Sequence, residues 1–161
     1  MQIIKEQNIV INNPETKSFL ADCYYPESDQ KLPLLIFAHG YKGYKDWGTF
    51  NLMAEEFVKT GFAFVKFNFS HNGTTLDNSS QFDDLEAFGN NNYSKEMSDY
   101  QAVIDFFSNH PKVDPSRITI MGHSRGGGNT ILQGYRDSRV KALVPSAGAE
   151  HFGNPFPNKA H

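Results

Sequence analysis

The 161-residue sequence has little of several features that would assign it to a specialised class of protein. It contains one cysteine, Cys23, which excludes an internal disulfide and fits a reducing compartment. Its net charge of −3 and the absence of a basic block give no electrostatic argument for binding nucleic acid or an anionic membrane. No window is apolar enough to cross a bilayer, and the chain does not start with a basic segment followed by an apolar run. These absences predict a cytoplasmic globular protein.

The sequence also lacks the patterns that hold a metal ion or a nucleotide. No pair among its six histidines has the spacing of metal ligands. The glycine-rich segment at 122–128 has neither the G-x-G-x-x-G spacing nor a P-loop lysine. We therefore expect no metal and no other cofactor.

Short apolar segments alternate with amphipathic ones, which favours a single domain over residues 1–161. The predicted strands cover 8–13, 18–26, 32–40, 62–68, 116–121 and 140–148, and the predicted helices cover 46–60, 94–109 and 125–137. Asp46 is the expected N-cap of the first helix, and 69–84 reads as a long polar loop. This order predicts an α/β fold, a mostly parallel sheet with helices on both faces. Its ligand site should lie outside the carboxyl ends of the strands.

One serine lies in the motif G-x-S-x-G, at residues 122–126, between a predicted strand and a predicted helix. A strand that turns directly into a helix strains the middle residue, and the residues two positions away must lack side chains. The Ser124 oxygen then points into the cleft, and the N–H groups of the first helical turn can hold a tetrahedral oxyanion. A glycine-rich turn that only packs the helix against the sheet, or one that binds phosphate, remains an alternative.

Three segments in this order resemble the amino-terminal half of an α/β-hydrolase: "LLIFAHGYKG" (34–43), "FAFVKFNFSHNG" (62–73) and "VDPSRITIMGHSRGGG" (113–128). The most similar branch is that of the dienelactone-hydrolase and prolyl-oligopeptidase-like esterases and peptidases. The resemblance implies that Ser124 is the nucleophile and that the backbone N–H groups of Tyr41 and Arg125 form the oxyanion hole. It implies a small-molecule ester as substrate, with a peptide or amide as the less favoured class, and no cofactor.

Further residues of the same loops are candidates for binding the substrate. Gly40 and His39 end the strand that precedes Tyr41, and His71 follows the strand at 62–68. We expect His39 to shape the loop beside the oxyanion donor and not to act as a base. His123 immediately precedes the nucleophile, so its side chain should point away from it.

The sequence departs from the family pattern after Ser124. In this family the acid and the histidine follow the serine in the chain, on loops after later strands. Only residues 125–161 follow here, so the carboxyl-terminal strands of a complete α/β-hydrolase are predicted to be missing. The tail offers Glu150 as an acid and His161, or His151, as a base. A serine without a base is a poor nucleophile, so we expect low activity from this chain as it stands.

Three interpretations remain open at this stage. The chain is a serine hydrolase of esters whose acid and histidine lie outside it, a ligand- or partner-binding module on a truncated hydrolase fold, or an enzyme whose triad is completed by another copy. A strand at 140–147 with no neighbour on one side would expose an apolar edge, which invites pairing with another chain. We therefore also predict a homo-oligomer joined through that strand.

Overall fold

The computed structural model describes residues 1–146, which contain six strands and four helices. The strands are β1 (Ile3–Ile11), β2 (Phe19–Pro26), β3 (Leu32–Ala38), β4 (Ala63–Phe67), β5 (Val113–His123) and β6 (Val140–Ser146). The helices are α1 (Phe50–Lys59), α2 (Leu85–Gly89), α3 (Tyr93–Ser108) and α4 (Arg125–Arg136). Every predicted strand and helix that falls within residues 1–146 is present, with shifted ends.

The strands form one sheet in the order β1-β2-β4-β3-β5-β6. β3 pairs in parallel with β4 and with β5, and β5 pairs in parallel with β6. β2 pairs antiparallel with β1 and with β4, so the antiparallel part of the sheet lies at its amino-terminal edge. The predicted α/β architecture, with its mostly parallel sheet, is confirmed. The carboxyl ends of β3, β4 and β5 are adjacent, and the loops that follow them meet there.

Two apolar clusters cover the two faces of the sheet, because successive side chains of a strand point to opposite sides. In β3, Leu35 and Phe37 belong to the cluster with α1, whereas Leu34, Ile36 and Ala38 belong to the cluster with α3. Helix α4 packs beside α3, where the Tyr100 hydroxyl lies 2.9 Å from Thr130 Oγ1. Helices therefore cover both faces, as predicted.

One local prediction was wrong, and one short helix was not predicted. Helix α1 begins at Phe50 with Thr49 as its N-cap, so Asp46 does not cap it. The Asp46 carboxylate instead accepts hydrogen bonds from Lys45 and Lys66, which compete successfully with a cap. The predicted polar loop over 69–84 contains no helix or strand. The short helix α2, which was not predicted, follows it and is capped by Asp84, which accepts from the Ala87 N–H.

The single cysteine is a buried thiol in the core. Cys23 is a free cysteine, fully buried in β2, and burial raises the pKa of its thiol well above the usual range. Among residues 1–146, no helix is long and apolar enough to cross a membrane. The same residues hold no cluster of histidine, cysteine, aspartate and glutamate that could bind a metal ion.

Candidate active site

Three segments meet at the carboxyl ends of the central strands. We call residues 39–49 the β3 loop, residues 68–92 the β4 segment, and residues 122–128 the elbow. The elbow joins β5 to α4 without an intervening loop, since β5 ends at His123 and α4 begins at Arg125. Ser124, the residue between them, is exposed.

Ser124 has the strained backbone that the motif predicts. Its φ is 54° and its ψ is −119°, a region that non-glycine residues rarely adopt. A Cβ at Gly122 would overlap the Gly126 carbonyl, and one at Gly126 would overlap the carbonyl of Ala38. Both positions therefore require glycine, because the neighbouring backbone leaves no room for a side chain. The turn holds the serine outside the packed core.

The hydrogen bonds of the elbow fix the direction in which α4 starts. The Ser124 N–H donates to the Ser146 carbonyl of β6 at 2.9 Å. The Ser124 carbonyl accepts from the N–H groups of Gly127 and Gly128 at 2.9 and 3.2 Å. The positive end of the helix dipole is therefore placed directly after the serine.

The β3 loop lies in contact with the elbow. A Cβ built on Gly40 would be 3.2 Å from Ser124 Cβ and 3.7 Å from the backbone nitrogen of Arg125. A side chain at this position would press on the serine, so Gly40 allows the two segments to approach. The structure thus brings Gly40, Ser124 and Arg125 together, with Tyr41 following Gly40 directly in the chain.

The β3 loop turns tightly after β3. The Gly43 N–H donates to the Gly40 carbonyl at 3.0 Å, and Lys42 has a positive φ of 58°. A Cβ at Gly43 would be 2.9 Å from the same carbonyl, so this position also favours glycine. From the β4 segment, Asn72 donates through Nδ2 to the Gly43 carbonyl at 3.2 Å.

His39 holds the β3 loop with both nitrogens of a buried ring. Nδ1 donates to the Gly40 carbonyl at 2.8 Å, and Nε2 accepts from the Phe69 N–H at 3.1 Å. These partners require the neutral ring, and burial lowers the pKa of His39 to about 4. The geometry favours the loop-shaping role of His39 over the predicted contact with substrate, because neither ring nitrogen is left for one.

A buried group of four charges fastens the far end of the β3 loop to the sheet. Lys45 Nζ lies 3.0 Å from Asp22 and 2.7 Å from Asp46, and Lys66 Nζ lies 2.5 Å and 2.6 Å from the same two carboxylates. Asp22 and Lys66 face each other across β2 and β4, so the sheet supplies one pair and the loop supplies the other. We call these four residues the charge clasp. No motif or spacing in the sequence predicts it.

A second buried ion pair reaches the elbow from α3. Glu96 Oε2 accepts from Arg125 Nε and from Asn129 Nδ2, each at 2.8 Å. Both charged side chains are 4% exposed. The Arg125 guanidinium also lies over the ring of Tyr93, 3.7 Å from its centroid. The sequence motif predicts a role for the backbone of Arg125 only, and no spacing links Arg125 to Glu96.

The remaining histidines of residues 1–146 do not pair with Ser124 in the structure. His71 Nδ1 lies 2.7 Å from Ser70 Oγ, and burial followed by the charges of Lys95 and Lys17 lowers the pKa of His71. His110 bonds through Nε2 to Glu6 at 3.0 Å, and its Nδ1 accepts from a backbone N–H. His123 is exposed. The predicted acid Glu150 and the predicted bases His151 and His161 lie outside the described residues.

Comparisons with known proteins agree with this geometry. Residues 19–159 match the dienelactone hydrolase family. The chain is 27% identical over 121 residues to the quorum-quenching protein AidA of Acinetobacter baumannii, covering 75% of this chain and 37% of that protein. It is 26% identical over 123 residues to cutinase 1 of Thermobifida cellulosilytica, covering 76% and 42%. The chain thus spans about two fifths of the length of these curated relatives.

A solved structure shows the same fold. The crystal structure of a protein from Klebsiella pneumoniae, described as a putative dienelactone hydrolase, superimposes with a TM-score of 0.73 at 18% identity. The match covers 92% of this chain and 61% of that one. This chain therefore belongs to the dienelactone hydrolase family, and its predicted resemblance to the amino-terminal portion of an α/β-hydrolase is confirmed.

Proposed function

We propose that this member of the dienelactone hydrolase family is a serine hydrolase of carboxylic esters, with Ser124 as its nucleophile. The observation that carries the proposal is the strained backbone of an exposed serine, φ 54°, in contact with the glycine turn that follows β3. A structural turn would not need a serine in this conformation, which costs roughly 1–3 kcal/mol. Strain of this kind is typical of a nucleophile presented to a substrate.

In the proposed reaction the oxygen of Ser124 attacks the acyl carbon of the ester. A C–O bond forms to the serine, the serine proton passes to a base, and the carbonyl oxygen becomes an oxyanion. The backbone N–H groups of Tyr41 and Arg125 would hold that oxyanion. The alcohol leaves with the proton, and water then hydrolyses the acyl-serine to release the acid.

The base and the acid of the proposed triad come from outside residues 1–146. The first prediction is that both lie outside this chain. Glu150 with His161 or His151 is the candidate pair within the chain, and supply by another copy is the alternative. Gly40 and His71 stay the proposed contacts with substrate, His71 because its half-buried ring belongs to the β4 segment that packs on the β3 loop. The cutinase relative supports an ester over a peptide as the substrate class.

Acylation of the serine tests this proposal more directly than turnover, since it is a single covalent step on Ser124, whereas turnover also requires hydrolysis of the acyl-serine. We expect a fluorophosphonate probe and p-nitrophenyl acetate to modify the wild-type protein. Ser124→Ala should abolish the modification, whereas Ser138→Ala, a serine at the opposite end of the sheet, should leave it unchanged. Folded wild-type protein that takes up no probe would contradict the proposal and favour a ligand- or partner-binding module.

Two further proposals concern the surroundings of the protein. A cytoplasmic location remains a proposal from the sequence alone.

A homo-oligomer joined near 140–147 is supported by β6, the last strand in the described sheet order, where Leu143 and Val144 are 42% and 45% exposed. Sedimentation at micromolar concentration should then give a dimer, and a well-folded monomer would contradict this proposal.

A further inference from the structure

We infer that Glu96 is a positioning residue for the nucleophile elbow, acting through Arg125 and Asn129. Both side chains donate to the same carboxylate oxygen of Glu96, and they are four residues apart in α4. One buried carboxylate on α3 therefore binds two side chains of α4 that lie one turn apart. This inference rests on the proposed function, since it assigns Glu96 a part in presenting Ser124 and the Arg125 N–H.

The first turn of α4 needs contacts from outside the helix because its own residues have a low helix propensity. Residues 126–128 are three consecutive glycines, each of which is a poor helix former. The close approach of Gly126 to Ala38 and His39 demands a residue without a side chain. The low helix propensity at this position therefore follows from the packing of the turn. Ser124 adds a strained backbone immediately before them.

The contacts of Glu96 are suited to this support. The third donor, Asn91 Nδ2, binds the other carboxylate oxygen at 2.9 Å, just before α3 begins. Tyr93 in the first turn of α3 stacks on the Arg125 guanidinium and closes the pair from that side. Glu96 is 3% exposed and Asn129 is fully buried, so water competes little for these bonds. The starts of α3 and α4 are thereby fixed to each other.

The consequence for the proposed chemistry is preorganisation. An oxyanion donor is effective when it already points at the position where negative charge develops, within a few tenths of an ångström. The Arg125 N–H is that donor, and its side chain is the one that Glu96 holds. Loosening this pair should slow the acylation step and leave the binding of the reagent nearly unchanged.

The test compares Glu96→Gln with a variant that is destabilised elsewhere. Glu96→Gln keeps the shape of the side chain and one acceptor oxygen but removes the charge. Val58→Ala truncates a fully buried residue of α1, on the opposite face of the sheet, and controls for a general loss of stability. The limiting rate of modification by the fluorophosphonate probe should fall about tenfold or more in Glu96→Gln, with a change of less than about threefold in the concentration for half-maximal rate. Val58→Ala should keep the wild-type rate.

Amide hydrogen exchange provides a readout that does not depend on reactivity. Exchange across residues 124–130 should accelerate about tenfold or more in Glu96→Gln and stay at the wild-type rate in Val58→Ala. If the wild-type protein takes up no probe, the proposed function fails, and exchange alone then decides whether Glu96 holds the elbow. Should Glu96→Gln not fold, Asn129→Ala, which removes one donor and keeps the ion pair, should show a smaller effect in the same direction. A labelling rate and an exchange pattern equal to those of Val58→Ala would overturn the inference.

Discussion

The two segments that form the candidate site, the elbow and the β3 loop, keep their shapes by different means. The strained turn of the elbow depends on backbone contacts, because Gly122 and Gly126 lie where any side chain would collide with a carbonyl, and the Glu96 side chain supports the helix that follows. The β3 loop depends on side chains, since His39 accepts from the Phe69 N–H just after β4 and Lys45 pairs with Asp22 of β2. Both segments contain a non-glycine residue with positive φ, Ser124 and Lys42. The two parts of one candidate site are therefore positioned differently, the elbow by a tight backbone turn and the β3 loop by side-chain contacts.

The comparison predicts its largest effect for a methyl group added to the elbow. Gly126→Ala should lower the rate of fluorophosphonate modification by about 100-fold or more, because the new Cβ would push α4 away from the carbonyls of Ala38 and His39. Gly134→Ala is the matched control in the same helix, where the added methyl meets only the flexible end of the Leu143 side chain. Equal labelling of both variants would show that the elbow does not need its close contact.

The charge clasp should give the next largest effect, on stability. Lys45→Met leaves the buried Asp22 and the partly exposed Asp46 with one lysine, so the free energy of unfolding should fall by about 3 kcal/mol. The double variant Lys45→Met with Asp46→Asn removes one charge of each sign and should lose less than half of that. Urea unfolding followed by circular dichroism measures both variants. A double variant as unstable as the single one would contradict the idea that charge balance is the main factor.

The effect of His39 should be smaller and should depend on pH. The pKa of His39 is lowered to about 4 in the folded protein, against about 6.5 in an unfolded chain, so protons favour the unfolded state between these values. The stability contributed by neutral His39 is fully present above pH 6.5 and is lost as the pH falls toward 4. The difference in unfolding free energy between the wild type and His39→Gln should therefore shrink by about 2 kcal/mol from pH 7.5 to pH 5. A difference that stays constant over this range would mean that His39 is accessible to protons in the folded state.

The same contrast explains what could be predicted from the sequence. The elbow is local: Gly122, Ser124 and Gly126 lie in one motif at a strand-to-helix junction, so both its conformation and its exposure could be predicted. The buried ion pairs that hold the two segments join residues far apart in the sequence. Glu96 and Arg125 are 29 residues apart, and Lys45 and Asp22 are 23 residues apart, so no periodicity relates them.

The wrong prediction for Asp46 has the same physical origin. The apolar repeat that starts at Trp47 made Asp46 a reasonable N-cap, but the helix begins at Phe50 and two buried lysines hold the Asp46 carboxylate. His39 was correctly expected to shape the loop, yet the burial that keeps its ring neutral follows from the packing of Phe69, which the sequence does not show. Long-range pairing of polar groups was therefore the part of the site that patterns of residues could not reveal.

The account depends most on the claim that Ser124 is presented to an oxyanion site formed by the two segments together. A crystal structure of the fluorophosphonate adduct measures this directly. We expect phosphorus bonded to Ser124 Oγ, with the phosphoryl oxygen about 2.7–3.1 Å from the backbone nitrogens of both Tyr41 and Arg125. A phosphoryl oxygen turned toward solvent, more than about 4 Å from either nitrogen, or an adduct on another residue, would contradict the account.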